Sequence, residues 1–272
     1  MVGAVKQRRY DLHMHTQRSD GRHDLMEVLA RCARGGLDVI AVTDHDALTN
    51  LEPGTRDVEG RALTLLAAAE VTVRLEDREH HVLVYFNGPA PAAFQTFCAA
   101  QCAARAVRYE TGRNRIGVEE IPSAVALIDA GVIAPTRHHL ARSLVRLGHA
   151  KDVGSAFRQF LGKGMVPLLE TGLDETLQLV RAHGGVAVWA HPSIQDANKL
   201  LDRFVRAGIH GIEALRPRLT SRERSTLRRM ATKAGLFVTG GSDWHGWGDP
   251  DLGLFSVTEG DISGFVDALA AA

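Results

Sequence analysis

In this chain of 272 residues, histidines and carboxylates recur inside apolar runs or just past their ends, at Asp44-His45, Glu70, His81, His191 and Asp243-x-His245. The runs are short and rich in Val, Ile, Leu and Ala, so they read as buried strands, and helical stretches separate most of them. Strands alternating with helices imply a parallel sheet. An open doubly wound sheet carries its ligands at one crevice, whereas polar residues at nearly every strand end suit a closed barrel whose C-terminal rim is the active site. The expected fold class is therefore an α/β barrel.

Residues 10–15 show the pattern in miniature. Tyr10, Leu12 and Met14 face one way and Asp11, His13 and His15 the other, the two-residue period of a strand, so the two histidines point together. Asp24 followed three residues later by Glu27 resembles a capping box, Leu25, Val28, Leu29 and Cys32 form a helical stripe, and Gly35-Gly36 stops it. A buried strand, Leu37 to Thr43, ends in Asp44-His45-Asp46, and the run Ala62 to Ala69 closes on Glu70. Val71 to Leu75 and His81 to Phe86 read as strands around the turn Glu76-Asp77-Arg78. After Gly88-Pro89-Ala90-Pro91 the character changes: helical stretches near 92–112, 119–130, 138–148, 152–161 and 173–183 follow one another without a convincing strand. Strands return at Gly185–Ala190, Ile209–Ala214 and Leu236–Gly240, with helices near 196–207 and 220–234. The expected organisation is a barrel in two parts, 1–88 and 184–272, interrupted by a helical insertion over 89–183.

An apolar fraction of 45% supports one large core. Lys plus Arg and Asp plus Glu are both 32, so a net charge of zero argues against duplex nucleic acid or an anionic membrane as partner, and an anionic substrate has to be attracted locally. The segment MVGAVKQRRYDLHMH reaches histidines before any signal-like apolar run, and no stretch approaches the roughly 18 apolar residues of a membrane span, so the expected location is the cytoplasm. Cys32, Cys98 and Cys102 lack metal-site spacing and read as free thiols.

A lone His-x-His pair such as His13 and His15 is a weak signal, but its repetition along the rim changes its meaning. Buried carboxylates and imidazoles cost several kcal/mol unless paired or ligated, so many of them at one rim require positive charge among them. Imidazole and carboxylate without thiolate favour zinc, manganese or iron, and the donors are too many for one ion, so two or three are implied. His80 neighbours His81 but alternates to the opposite face and reads as a surface or hairpin histidine. Asp46 reads as orienting an imidazole or as capping the next turn, and Lys163 as a loop residue.

The motifs Asp11-Leu12-His13-Met14-His15-Thr16 with Ser19-Asp20-Gly21, Thr43-Asp44-His45-Asp46, Glu70, His81-Val82-Leu83, Ala190-His191-Pro192 and Gly241-Ser242-Asp243-Trp244-His245-Gly246 occur in this order. In them the chain resembles the PHP (polymerase and histidinol phosphatase) domain family. The resemblance implies a distorted seven-stranded (β/α) barrel and nine ligand positions, which fall on His13, His15, Asp20, His45, Glu70, His81, His191, Asp243 and His245. It implies that Glu70 bridges two ions, that a bridging hydroxide is the nucleophile, and that Asp243 and His191 are catalytic, Asp243 as both ligand and proton acceptor. Two or three divalent ions are expected as cofactors, manganese first and zinc or iron as alternatives.

Within the family the chain looks most like the stand-alone phosphoesterases acting on nucleoside 3',5'-bisphosphates and short oligoribonucleotides, which carry a helical insertion with an Arg-x-His-x-Ala element. Here that element is Arg137-His138-His139-Leu140-Ala141, with His138 where the family usually has proline, so either histidine could face inward. The likeness makes Arg137 and His139 the substrate-binding residues and a small phosphorylated nucleotide the expected partner. Val84 and Leu219 also depart from the usual pattern, the first in packing and the second at a potential substrate contact. The alternatives are a histidinol-phosphate phosphatase, a metal-stabilised module without activity, and an amidohydrolase cleaving C–N bonds.

Overall fold

In the computed structural model, which describes residues 7–272, the apolar runs form the wall of a nearly closed barrel. Neighbour by neighbour the wall runs β8 (Phe237–Gly240), β7 (Gly211–Leu215), β6 (Val186–Trp189), β5 (Arg78–Phe86), β4 (Arg61–Leu75), β2 (Val39–Ala41), β1 (Arg9–Asp11) and β9 (Val257–Thr258). Beyond β1 and β8 the two edges meet. Leu12 N donates to Gly240 O at 3.2 Å, Asp243 N donates to His13 O at 2.9 Å, and Met14 bridges Trp244. Seven strands thus complete the ring, with β9 against the first residues of β1 and β3 (Gly54–Val58) folded back on β4.

The expected parallel pairing holds for β1–β2, β2–β4, β6–β7 and β7–β8, and fails for β5, which is antiparallel to both β4 and β6. A parallel neighbour needs a crossover of a dozen residues or so, and only Glu76-Asp77 separates β4 from β5, so the chain must reverse. The runs on either side of Glu70 are one continuous strand, and Glu70 therefore sits within β4 rather than at its end. β3 and β9 went unforeseen because both are short and half-polar.

The barrel interior packs Leu12, Leu83, Tyr85, Val188 and Leu215, closed at one end by Phe265 of α9 (Ser263–Ala270). Outside, α6 (Leu173–Ala182), α7 (Ile194–Ala207) and α8 (Ser221–Lys233) cover the wall, while α1 (Leu25–Arg34) starts at Asp24, whose side chain accepts from Glu27 N–H. His80 is not at the surface: it is buried with its ring edge-on to Trp189 and Phe204, which stack at 4.0 Å. In the intervening segment α2 (Ala92–Ile116), α3 (Ala124–Asp129), α4 (Arg137–Arg146) and α5 (Val153–Phe160) share a separate apolar core around Tyr109, Leu140, Leu144 and Leu161. Cys32, Cys98 and Cys102 are free thiols. Among the described residues no helix is long and apolar enough to cross a membrane.

Candidate metal centre

The alternation after β1 turns both His13 and His15 into the rim, fully buried, with their Nε2 atoms 3.2 Å apart. Opposite them Glu70 rises from the middle of β4. Its Oε2 lies 3.0 Å from His45 Nδ1, 3.3 Å from His15 Nε2 and 3.5 Å from His13 Nε2. Its Oε1 lies 2.8 Å from His81 Nδ1 and 2.9 Å from His191 Nε2. Asp20 forms a second focus, 3.3 Å from His245 Nε2, 3.6 Å from His45 Nε2 and 4.0 Å from His15 Nδ1. Asp243 Oδ1 completes the ring at 3.4 Å from both His13 Nε2 and His15 Nε2.

All nine residues singled out as ligands therefore meet at one place. Both oxygens of Asp20 are buried without a hydrogen-bond partner, and Glu70 Oε2 and His45 Nδ1, though 3.0 Å apart, do not meet in hydrogen-bonding geometry, a state native interiors rarely tolerate. Three sets of donors each converge to within 4.8 Å: His15, Asp20, His45 and His245; His13, His15 and Glu70; His45, Glu70 and His81. Oxygen and imidazole donors so arranged, with no thiolate among them, fit divalent cations. Burial pushes His45 down to about 4, against the pull of Glu70 and Asp20, leaving the neutral imidazole that a ligand must be. Burial also opposes charge on His13, yet the surrounding Glu213, Glu70 and Asp243 outweigh it and raise its pKa well above the usual value.

The backbone is bent to serve this rim. His191 and Asp243 adopt left-handed φ angles of 32° and 55°, at a cost of about 1–3 kcal/mol each that the surrounding fold must offset. Gly241 sits so close to the first strand that a Cβ there would lie 2.3 Å from His13 Cβ and 3.0 Å from Glu213 Oε1. Gly241→Ala should therefore lower stability by about 1–3 kcal/mol and depress metal binding with it, read as a drop in Tm and in ion content. A variant as stable and as well loaded as the parent would mean that the seam gives way freely.

One supporting carboxylate, Glu213, escaped the sequence reading, and two that it named, Asp44 and Asp46, take definite places in the structure. Glu213 is fully buried in β7, with Oε1 3.0 Å from His13 Nδ1 and Oε2 accepting from the His191 backbone N–H at 2.9 Å, so it orients one imidazole and anchors the backbone that carries another. Its signal was the one that exposed Glu70, a carboxylate inside an apolar run. Asp44 accepts from Thr16 N–H, the Thr16 hydroxyl and the Ser19 hydroxyl at 2.8, 2.6 and 2.6 Å, latching the loop that carries Asp20. Asp46 neither orients an imidazole nor caps a turn: it accepts from Thr72 N–H at 2.7 Å and pairs with the buried Arg105 of α2, tying the helical segment to the rim.

Thr136 caps α4, and His139 Nδ1 accepts the Thr136 N–H at 3.1 Å, so this face of the His139 ring is spent on the helix start. His138 stands with its ring 6.4 Å from that of His245. Arg137 is exposed, over Phe157, and lines a cavity of about 450 Å³ with Arg78, Glu79 and Lys163. Lys163 pairs with Asp77 at 2.6 Å and lies in a loop, as its glycine neighbours suggested.

The PHP domain family matches residues 11–104. The 5'-3' exoribonuclease Rnm of Salmonella typhimurium is 30% identical over 250 residues, covering 87% of this chain and 85% of that protein. A 3',5'-nucleoside bisphosphate phosphatase of Chromobacterium violaceum is 30% identical over 259 residues, covering 89% and 90%. A structure from Bifidobacterium adolescentis, assigned as a metal-dependent phosphoesterase, superposes with a TM-score of 0.77 at 26% identity over 98% of this chain and 96% of that one. Fold, donor set and these likenesses define the class, a metal-dependent hydrolase of phosphoric esters. Within that class the chain belongs to the PHP domain family.

Proposed function

We propose that the enzyme hydrolyses a phosphate ester of a small nucleotide, a nucleoside 3',5'-bisphosphate or a short oligoribonucleotide, with two or three divalent ions, manganese foremost. The observation that carries this reading is Glu70, a buried carboxylate faced by five imidazoles. The helical insertion, residues 89–183, is read as a cap on this centre, and its Arg137 has no ion pair among the described residues. Similarity to a bisphosphate phosphatase and to an exoribonuclease supports the substrate class. A cytoplasmic reaction is part of this reading, and the free thiols support it.

The residues that would hold the ions are the three converging sets, with His191 and Asp243 beside them. Bound there, the ions supply an activated water and positive charge for the phosphoryl oxygens. Glu70 and Asp20, both buried among these imidazoles, would supply the negative charge that balances the ions. Asp243 Oδ1 faces three imidazoles, those of His13, His15 and His245, while its side chain is 38% exposed, and its other oxygen, Oδ2, is the one assigned to accept the proton of the attacking water. His191, with its side chain 32% exposed, lines the same opening and meets the bound ester.

Turnover of adenosine 3',5'-bisphosphate and histidinol phosphate, read as phosphate release, of short oligoribonucleotides, read as nucleotide release, and of non-phosphorylated amides, read as amine release, with manganese, zinc, iron and magnesium supplied in turn, tests the reading. Preferred turnover of the nucleotides is expected, and preference for histidinol phosphate or an amide would overturn it. Arg137 and His139 are the cap's substrate residues in this reading, Arg137 gripping the phosphate that is not cleaved. A guanidinium stays protonated, cannot ligate a metal, and offers paired N–H donors to two phosphate oxygens. Arg137→Ala should then weaken the bisphosphate by about 1.5–3 kcal/mol relative to a monophosphate, with ion content unchanged. Equal losses on both substrates would remove Arg137 from that role.

A further inference from the structure

Helix geometry splits the basic residues of α4 between two directions. His138 and Arg142 are four residues apart and share one face of the helix. That face looks at the metal centre, since the His138 ring is 6.4 Å from that of His245. The Arg142 guanidinium carbon lies over the Trp247 ring at 3.5 Å from its centroid, and Trp247 Nε1–H in turn donates to the backbone carbonyl of Asp20 at 2.8 Å. Arg142 is thus held against the loop that carries an expected ligand. Arg137 instead turns toward Glu79 and Lys163 in the neighbouring cavity.

Arg142 is half-buried and makes no ion pair among the described residues. The two carboxylates whose charge it feels are already engaged. Asp20 faces His15, His45 and His245, while Asp249 accepts from the N–H groups of His245 and Gly246 and pairs with Arg218. Burial lowers the Arg142 guanidinium to about 10, so it remains a cation at neutral pH. A partly desolvated guanidinium with one flat face on an indole and no carboxylate of its own keeps its N–H edge for an external anion.

We propose that Arg142, held in place by Trp247, binds the oxygens of the phosphate being cleaved, while Arg137 serves the phosphate that is not. The inference rests on reading the centre as a phosphoesterase, and it deepens that reading by dividing the two phosphates between two arginines. Trp247 is a positioning residue here: its ring fixes the plane of the guanidinium.

The test uses the full chain loaded with manganese. Binding of inorganic phosphate is measured by calorimetry, ion content by mass spectrometry, and turnover on a monophosphate and on a 3',5'-bisphosphate, for wild type, Arg142→Ala, Arg142→Gln and Arg142→Lys. Arg142→Ala and Arg142→Gln should weaken inorganic phosphate by about 10- to 100-fold and reduce kcat/KM equally on both esters, with the ions retained. Arg142→Lys, which keeps the charge but loses the planar fork and the stack, should fall in between. Unchanged phosphate affinity, a loss confined to the bisphosphate, or loss of the ions would each overturn the assignment. If wild type hydrolyses no phosphate ester yet binds phosphate through Arg142, the proposed function fails and takes the assignment to a cleaved phosphate with it, whereas turnover of both esters with unchanged phosphate affinity in the Arg142 variants would sink this inference alone.

Discussion

Glu70→Gln is expected to lower kcat by about a thousandfold or more and to empty most of the metal centre. The two Glu70 oxygens lie within 3.5 Å of nitrogens from His13, His15, His45, His81 and His191, so one carboxylate serves five imidazoles. Glutamine keeps the shape but loses the charge, and its amide N–H2 can only donate, which turns one of the two acceptor positions against any cation. Among the described residues no other carboxylate spans these five rings, since Asp243 faces His13 and His15, Asp20 faces His15 and His45, and Glu213 faces His13. The strand itself should persist, as its ladder to β5 runs unbroken from Ala67 to Leu75 through the backbone. Ion content, circular dichroism and phosphate release separate the possibilities. Near-normal kcat with a full complement of ions would end the view of Glu70 as the hub.

Asp243→Asn should abolish turnover on a similar scale, by a factor of about 10³ or more, and leave the fold in place. It removes a ligand charge and a proton acceptor together. Burial opposes charge on this carboxylate, but His13, His15, His245 and His191 around it hold its pKa well below the ordinary carboxylate range, so it is charged at every pH relevant to catalysis. Asparagine can also sit at the left-handed φ of 55° that the position requires, so the backbone need not move. The change should therefore fall on chemistry and metal affinity rather than on Tm. Retained activity at full ion occupancy would assign the proton to another group, and a collapsed Tm would show that the charge is needed to close the seam between the first and last strands.

The strand-end donors were legible in the sequence for a local reason: alternation within a strand fixes which side chains share a face, as with His13 and His15, and burial of a charge without a partner is costly wherever it occurs. Glu213 obeys the same rule from the middle of Ile212-Glu213-Ala214 and could have been found by it. The reversal between β4 and β5 was legible too, in the turn Glu76-Asp77-Arg78 between two strand-like runs, because so few residues cannot cross a barrel. Other outcomes depended on long-range geometry that no local pattern encodes. His138 and His139 are adjacent and chemically identical, and only the packing of α4 gives one the view of His245 and the other the Thr136 cap. Asp46 and Arg105 are 59 residues apart, and a buried pair between them exists only because α2 returns to the rim. Arg142 and Trp247 show the same limit: the chain's composition contains many arginines, but which one loses its carboxylate partners and faces the metal centre is settled by where α4 lands on the loop of Asp20, a contact between segments that periodicity cannot see.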